Sequence, residues 1–100
     1  MEITVANEPD ETVFALNGRL DTTTSKMLET SLLSALEERK NIALDFSGVS
    51  YVSSAGLRTL LLAQKTALKN AVQMRLCQVS ADVLEILKMT GFDTLLTISL

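Results

Sequence analysis

The sequence predicts an α/β domain built on a mixed, mostly parallel sheet. Strand-like and helix-like segments alternate in the order β-β-α-β-α-β-α-β, which requires parallel neighbours joined by right-handed crossovers, with the opening pair adding an antiparallel hairpin. At 100 residues the chain suits one domain, residues 1–100, with one core. Hydrophobic residues make up 47% and aromatics 4%, with no tryptophan, so the core is expected to consist of Leu, Val, Ile, Ala and Met.

The first strand is expected in "EITVAN" (2–7), where Ile3 and Val5 alternate with Glu2 and Thr4 as on an edge. "EPDE" (8–11) supplies Pro9 and Asp10 for a turn, and "TVFALNG" (12–18) is the second strand of the hairpin. "RLDTTT" follows, with Asp21, Thr22 and Thr23 as candidate N-caps of a helix running to about Glu38. Leu28, Leu32 and Leu36 recur every four residues, with Leu33 beside them, and mark the apolar face of that helix. "NIALDF" (41–46) is a short apolar run, read as a strand buried on both faces.

A second helix is expected from Ser54 to about Asn70, its stripe formed by Leu57, Leu60, Leu61, Gln64 and Leu68, with Asn70 able to take a left-handed conformation at its end. "VQMRLCQV" (72–79) alternates again, Val72, Met74 and Leu76 against Gln73, Arg75 and Cys77. Ser80 is placed to cap a third helix carrying Val83, Leu84 and Leu87, and Gly91 to end it. "LLTISL" (95–100) is consistent with a last strand.

Composition also excludes functions. There is no histidine, so Ser-His-Asp and Cys-His catalysis and His-containing zinc sites are out of reach, and one cysteine cannot supply the missing ligands. No catalytic residue, metal or cofactor is implied. Cys77, inside an alternating strand, reads as a small core or strand residue and not as a nucleophile. A net charge of −3 with nine scattered Lys and Arg argues against a nucleic-acid footprint. No stretch reaches the roughly 20 apolar residues of a bilayer span, and "MEITVANEPD" lacks a basic, apolar leader pattern. The expectation is a cytoplasmic protein without membrane insertion.

One stretch stands apart, "DFSGVSYVSSAGLRTLL" (45–61), where a strand hands over to a helix through adjacent serines. In open α/β sheets, sites form where strand carboxyl ends meet helix N-termini. Parallel packing of the second and third strands would bring "NGRLDTTT" to the same end. Ser53 or Ser54 is the expected N-cap of the second helix, a role typically worth about 1 kcal/mol. Capping accounts for one serine only. Nor does it explain Gly56 in the first helical turn, where glycine costs up to about 1 kcal/mol relative to alanine. Ala55-Gly56 is read as clearing space around the hydroxyls for another molecule.

Three readings of the junction compete. A nucleophile elbow needs Gly-x-Ser-x-Gly, but Val52 holds the place of the first glycine and no base is available. A phosphate-ligand site would use the helix N-terminus, yet the P-loop pattern with its lysine and the GxGxxG pattern are both missing. The third is phosphorylation of a serine, with Arg58, four residues after Ser54, adding a nearby cation.

"NGRLDTTT", "ALDFSGVSYVSSAGLRTLL" and "LCQVSADVLEILKMTGFDTLL" together resemble, in order and spacing, the STAS domain of bacterial anti-sigma-factor antagonists, over essentially the whole chain. The resemblance implies a non-enzymatic binding switch. Its partner is an anti-sigma factor that is also a GHKL-type serine kinase. The partner is bound by the unphosphorylated form, lost on phosphorylation, and regained through a PP2C-type phosphatase. Matched position by position, the phosphoacceptor is Ser54, with Ser53, Ala55, Gly56 and Arg58 around it. Asp21, Thr22 and Thr23 lie at the partner surface. Ser53 stands where the family often has Asp, which makes it a second candidate acceptor. Other STAS domains serve as subunits of membrane transport complexes for lipids or anions, or as stressosome scaffolds. A stand-alone interaction subunit of that kind is the alternative expectation.

Overall fold

The computed structural model describes residues 1–99. Five strands form one sheet in sequence order: β1 (Glu2–Asn7), β2 (Thr12–Leu20), β3 (Ile42–Val52), β4 (Met74–Cys77) and β5 (Ile98–Ser99). β1 pairs antiparallel with β2 as the expected hairpin, and every later neighbour is parallel. The crossovers are α1 (Thr22–Glu37), α2 (Ser54–Lys69) and α3 (Ala81–Met89), with a 3₁₀ turn at Phe92–Thr94 leading into β5. Right-handed crossovers that always step in one direction keep their helices on one face of the sheet. Consistent with that rule, Leu28, Leu32 and Leu36 of α1, Leu57 and Leu60 of α2, and Val83 and Leu87 of α3 join one core with Phe14, Leu44, Phe46, Met74 and Leu76.

The opposite face carries Val13, Ala15, Asp45, Arg75 and Cys77, all half-buried. Arg75 makes a two-pronged ion pair with Glu11 across it, Nη2 to Oε1 at 2.7 Å and Nε to Oε2 at 3.3 Å. The Cys77 thiol points at the carbonyl of Leu44, and partial burial pushes its pKa up. A thiol in that setting is a strand residue, as its place in the alternating pattern implies.

Several boundaries differ from expectation, each for a local reason. β3 runs six residues past Phe46, to Val52, because its register against β2 slips twice. Two residues stand between Phe46 and Val49, and two between Val49 and Val52, wherever a regular strand would have one. β4 is only four residues long: Val72 and Gln73 precede it, and Gln78 ends it with φ 57°. Of the expected strand 95–100, only Ile98–Ser99 is extended, and Leu100 lies outside the described residues.

The stripe of α2 is also different. Leu57, Leu60 and Gln64 are buried as expected, but Leu61 is half-buried and Leu68 is 72% exposed. The small residues Gly56, Ala63 and Ala67 complete the buried face. Asn70 is not left-handed, its φ being −88°; the adjacent Ala71 takes φ 58° instead. The Asn70 side chain has another task, donating at 2.9 Å to the Leu36 carbonyl at the end of α1, which also accepts from the Arg39 N–H. Ser80 caps α3 through Val83 N–H at 3.2 Å, and Gly91, with φ 78°, ends it.

Candidate functional site

The carboxyl ends of β2 and β3 lie side by side, with Arg19 paired to Tyr51 and Leu20 to Val52. The Ser53 N–H then donates to the Leu20 carbonyl at 2.9 Å, so the entry to α2 is stitched to the exit of β2. This brings "NGRLDTTT" and "SSAGLR" together at one end of the sheet, as parallel pairing requires.

Asp21 is the N-cap of α1, and neither Thr22 nor Thr23 takes that role. Its Oδ1 accepts from Thr23 N–H at 3.1 Å and Thr24 N–H at 3.0 Å, while its own N–H donates to Thr24 Oγ1 at 2.8 Å. The result is a complete capping box with threonine in the N3 position. These donors, the Thr24 backbone N–H first among them, hold the Asp21 carboxyl below its ordinary pKa. The Ser25 hydroxyl donates to the Asp21 carbonyl and tightens the same turn. Thr22 and Thr23 are exposed on the first turn.

At α2 the cap is Ser53, whose Oγ accepts from Gly56 N–H at 3.2 Å. Ser53 is half-buried in that task, whereas Ser54, the first helical residue, is exposed. The two adjacent serines therefore divide the work, one holding the helix start and the other presenting its hydroxyl to solvent. Gly56 requires a correction. It is buried, and a Cβ there would meet Leu20 Cγ at 2.9 Å and the Leu20 carbonyl at 3.0 Å. The space left by its missing side chain is filled from within by Leu20, so Gly56 opens no room for an outside molecule. It lets α2 settle onto the end of β2.

Ala55 is half-buried and Arg58 exposed, and both line a groove between the N-terminal halves of α1 and α2 together with Thr22, Lys26, Glu29 and Leu62. At the paired ends of β2 and β3, the Arg19 guanidinium sits 4.4 Å above the centre of the Tyr51 ring. Lys26, Leu62 and the Arg19–Tyr51 pair escaped the sequence reading. The signal for Arg19 and Tyr51 was the register between β2 and β3, which a double bulge obscures. Lys26 lies four residues after Thr22, one turn along α1 on the same side.

The family model for the STAS domain matches residues 2–100. BtrV of Bordetella bronchiseptica, named as an anti-sigma factor antagonist, is 27% identical over 93 residues, which cover 92% of this chain and 80% of BtrV. The unphosphorylated form of the anti-sigma factor antagonist SpoIIAA superposes with a TM-score of 0.80 at 17% identity, covering 99% of this chain and 89% of that one. The phosphorylated form of the Bacillus SpoIIAA gives a TM-score of 0.76 at 16% identity, covering 99% and 92%. Sheet order, crossovers and the whole-length match converge on one conclusion: this chain belongs to the STAS domain family.

Proposed function

We propose that this protein is an anti-sigma-factor antagonist, a cytoplasmic binding protein and not an enzyme, switched by phosphorylation of Ser54. The observation that carries the reading is the division of labour at the start of α2: Ser53 makes the capping bond, and Ser54 is left exposed beside it. An acceptor that was itself the cap would have its capping hydroxyl converted to a bulky ester; Ser54 can be modified with the Ser53 capping bond untouched. Similarity to BtrV, and to SpoIIAA in both its forms, supports the same reading. No helix among the described residues is long and apolar enough to cross a membrane, which accords with a protein acting on a soluble partner.

In this scheme the unphosphorylated protein docks on an anti-sigma factor that is a GHKL-type serine kinase. Asp21, Thr22, Thr23, Ser53, Ala55 and Arg58 lie at the contact, and Gly56 supports it from beneath. The partner brings the nucleotide and the base: Ser54 Oγ displaces ADP from the terminal phosphorus of ATP while its proton passes to the partner. This accounts for a serine site in a chain without histidine. The added charge of about −1.5 to −2 then opposes rebinding until a PP2C-type phosphatase hydrolyses the ester.

The test is binding of the cognate kinase to Ser54→Asp and Ser54→Ala, with mass spectrometry of the wild type after incubation with kinase and ATP. Ser54→Asp is expected to bind about tenfold or more weakly, since a buried unmatched charge costs about 1–3 kcal/mol or more, while Ser54→Ala binds without being switched off. Equal affinity for Ser54→Asp and wild type would refute the switch. Phosphate found on Ser53 would move the acceptor by one residue.

A further inference from the structure

We propose that the groove between α1 and α2 is the seat of the phosphate on Ser54, with Arg58 and Lys26 as its counter-ions. The inference rests on the reading of Ser54 as the modified residue and adds where the phosphate goes. Ser54 and Arg58 are four apart on the exposed side of α2, the spacing at which helix side chains meet. Arg58 shares the groove with Lys26 of α1, and Thr22 and Ala55 lie between the two helices there.

Both cations are unengaged. The ion pairs among the described residues are Arg75–Glu11 and Lys40–Glu38, and neither Arg58 nor Lys26 donates a side-chain hydrogen bond to the protein. Arg58 stands one helical turn from the exposed Ser54, and Lys26 lines the same groove from α1. Of the nearby carboxylates, Asp21 is turned onto the backbone of its own helix and Glu29 alone lines the groove. Arg19 is stacked on the Tyr51 ring. The α2 N-terminus adds to this setting. Gly56 N–H is taken by Ser53 Oγ and Leu57 N–H by the Ser53 carbonyl, which leaves the N–H groups of Ser54 and Ala55 without a protein acceptor among the described residues.

A phosphate carrying about −1.5 to −2 charges matches the two cations. Phosphorylation in this geometry does more than add charge: it also neutralises Arg58 and Lys26, which the unmodified groove leaves exposed around Leu62.

The test installs phosphoserine at position 54 by nonsense suppression and follows its ³¹P resonance through a pH titration. In the wild type the second pKa is expected below the value of about 6 for an unconstrained phosphoserine. Arg58→Gln is expected to raise it by about half a unit, the size of an exposed ion-pair contribution. Lys26→Gln should raise it by less, and Arg58→Lys should retain most of the depression. Lys65→Gln removes the same charge from the same helix about 16 Å along its axis and is expected to leave the titration unchanged. If Arg58→Gln titrates like wild type, or no differently from Lys65→Gln, the phosphate does not sit against Arg58 and the proposal fails. Should Arg58→Gln not fold, the other two variants decide the matter: a raised pKa in Lys26→Gln with most of the depression retained in Arg58→Lys supports the seat, and an unchanged titration in Lys26→Gln overturns it. Because the phosphate is installed without a kinase, failure here leaves the partner switch standing. Failure of a kinase to modify Ser54 leaves the seat standing.

Discussion

The starts of α1 and α2 lie at the same end of the sheet, tied together by the Ser53 N–H to Leu20 carbonyl bond, yet they are finished differently. At α1 a carboxylate accepts two backbone N–H groups, and the threonine in the N3 position closes the box from its own side. At α2 a single hydroxyl accepts one N–H, and the next residue is an exposed serine. The first is a closed cap, complete within itself. The second is a minimal cap, with two N–H groups and the Arg58 cation left over. The second arrangement is the one that suits the modification proposed for Ser54. Its neighbour, locked by the capping box, fixes the platform on which the change is presented.

The largest expected effect comes from the contact on which both starts depend. Gly56→Ala recovers up to about 1 kcal/mol of helix propensity, but its methyl would lie 2.9 Å from Leu20 Cγ and 3.0 Å from the Leu20 carbonyl. Overpacking of this kind costs about 1–3 kcal/mol and the backbone oxygen cannot turn aside. A net loss of about 1–2 kcal/mol in urea unfolding is expected. A neutral or stabilised Gly56→Ala would mean that α2 is free to lift from β2, and the comparison between a rigid platform and an open cap would weaken.

Next comes the division between the serines. Ser53→Ala removes the cap and is expected to destabilise by about 1 kcal/mol, while Ser54→Ala, an exposed substitution with no protein hydrogen bond to lose, should stay within about 0.5 kcal/mol. The two unfolding curves measured side by side check this. If Ser54→Ala is the costlier of the two, the roles are exchanged and Ser53 becomes the exposed candidate.

Which parts were legible in the sequence follows from the kind of signal each residue leaves. α1 was plain because Leu28, Leu32 and Leu36 are large, apolar and evenly spaced. The far half of β3 was hidden: with two bulges, its buried residues Phe46, Val49 and Val52 recur every three residues, a spacing that resembles a helix and not a strand. On α2 the buried face is made partly of Gly56, Ala63 and Ala67, which allow α1 and the sheet to come close, while the large Leu68 points outward. A reading that weighs side chains by size selects the wrong leucine there. Gly56 stands out in the sequence, but its reason does not, since only the folded chain shows that Leu20, thirty-six positions earlier, occupies the space of its missing side chain. Serine choice was undecidable for a similar reason: either residue satisfies the cap pattern, and the backbone path out of β3 selects Ser53.

The smallest effect at neutral pH probes the closed cap itself. Asp21→Asn keeps an excellent capping side chain, so stability at pH 7 is expected to stay close to wild type. The difference appears in acid. Asp21 has its carboxyl pKa lowered in the folded state by the Thr24 and Thr23 N–H groups. Its contribution is therefore fully present above the unfolded value of 3.8 and is lost as pH falls through the lower folded value. Wild type should lose stability across that window, and Asp21→Asn should lose less, because its amide does not titrate. Thermal unfolding of both proteins from pH 7 to below pH 3 measures the gap. Parallel curves would mean that the Asp21 charge adds nothing to the cap. The start of α1 would then differ from that of α2 in the number of hydrogen bonds alone and not in electrostatics.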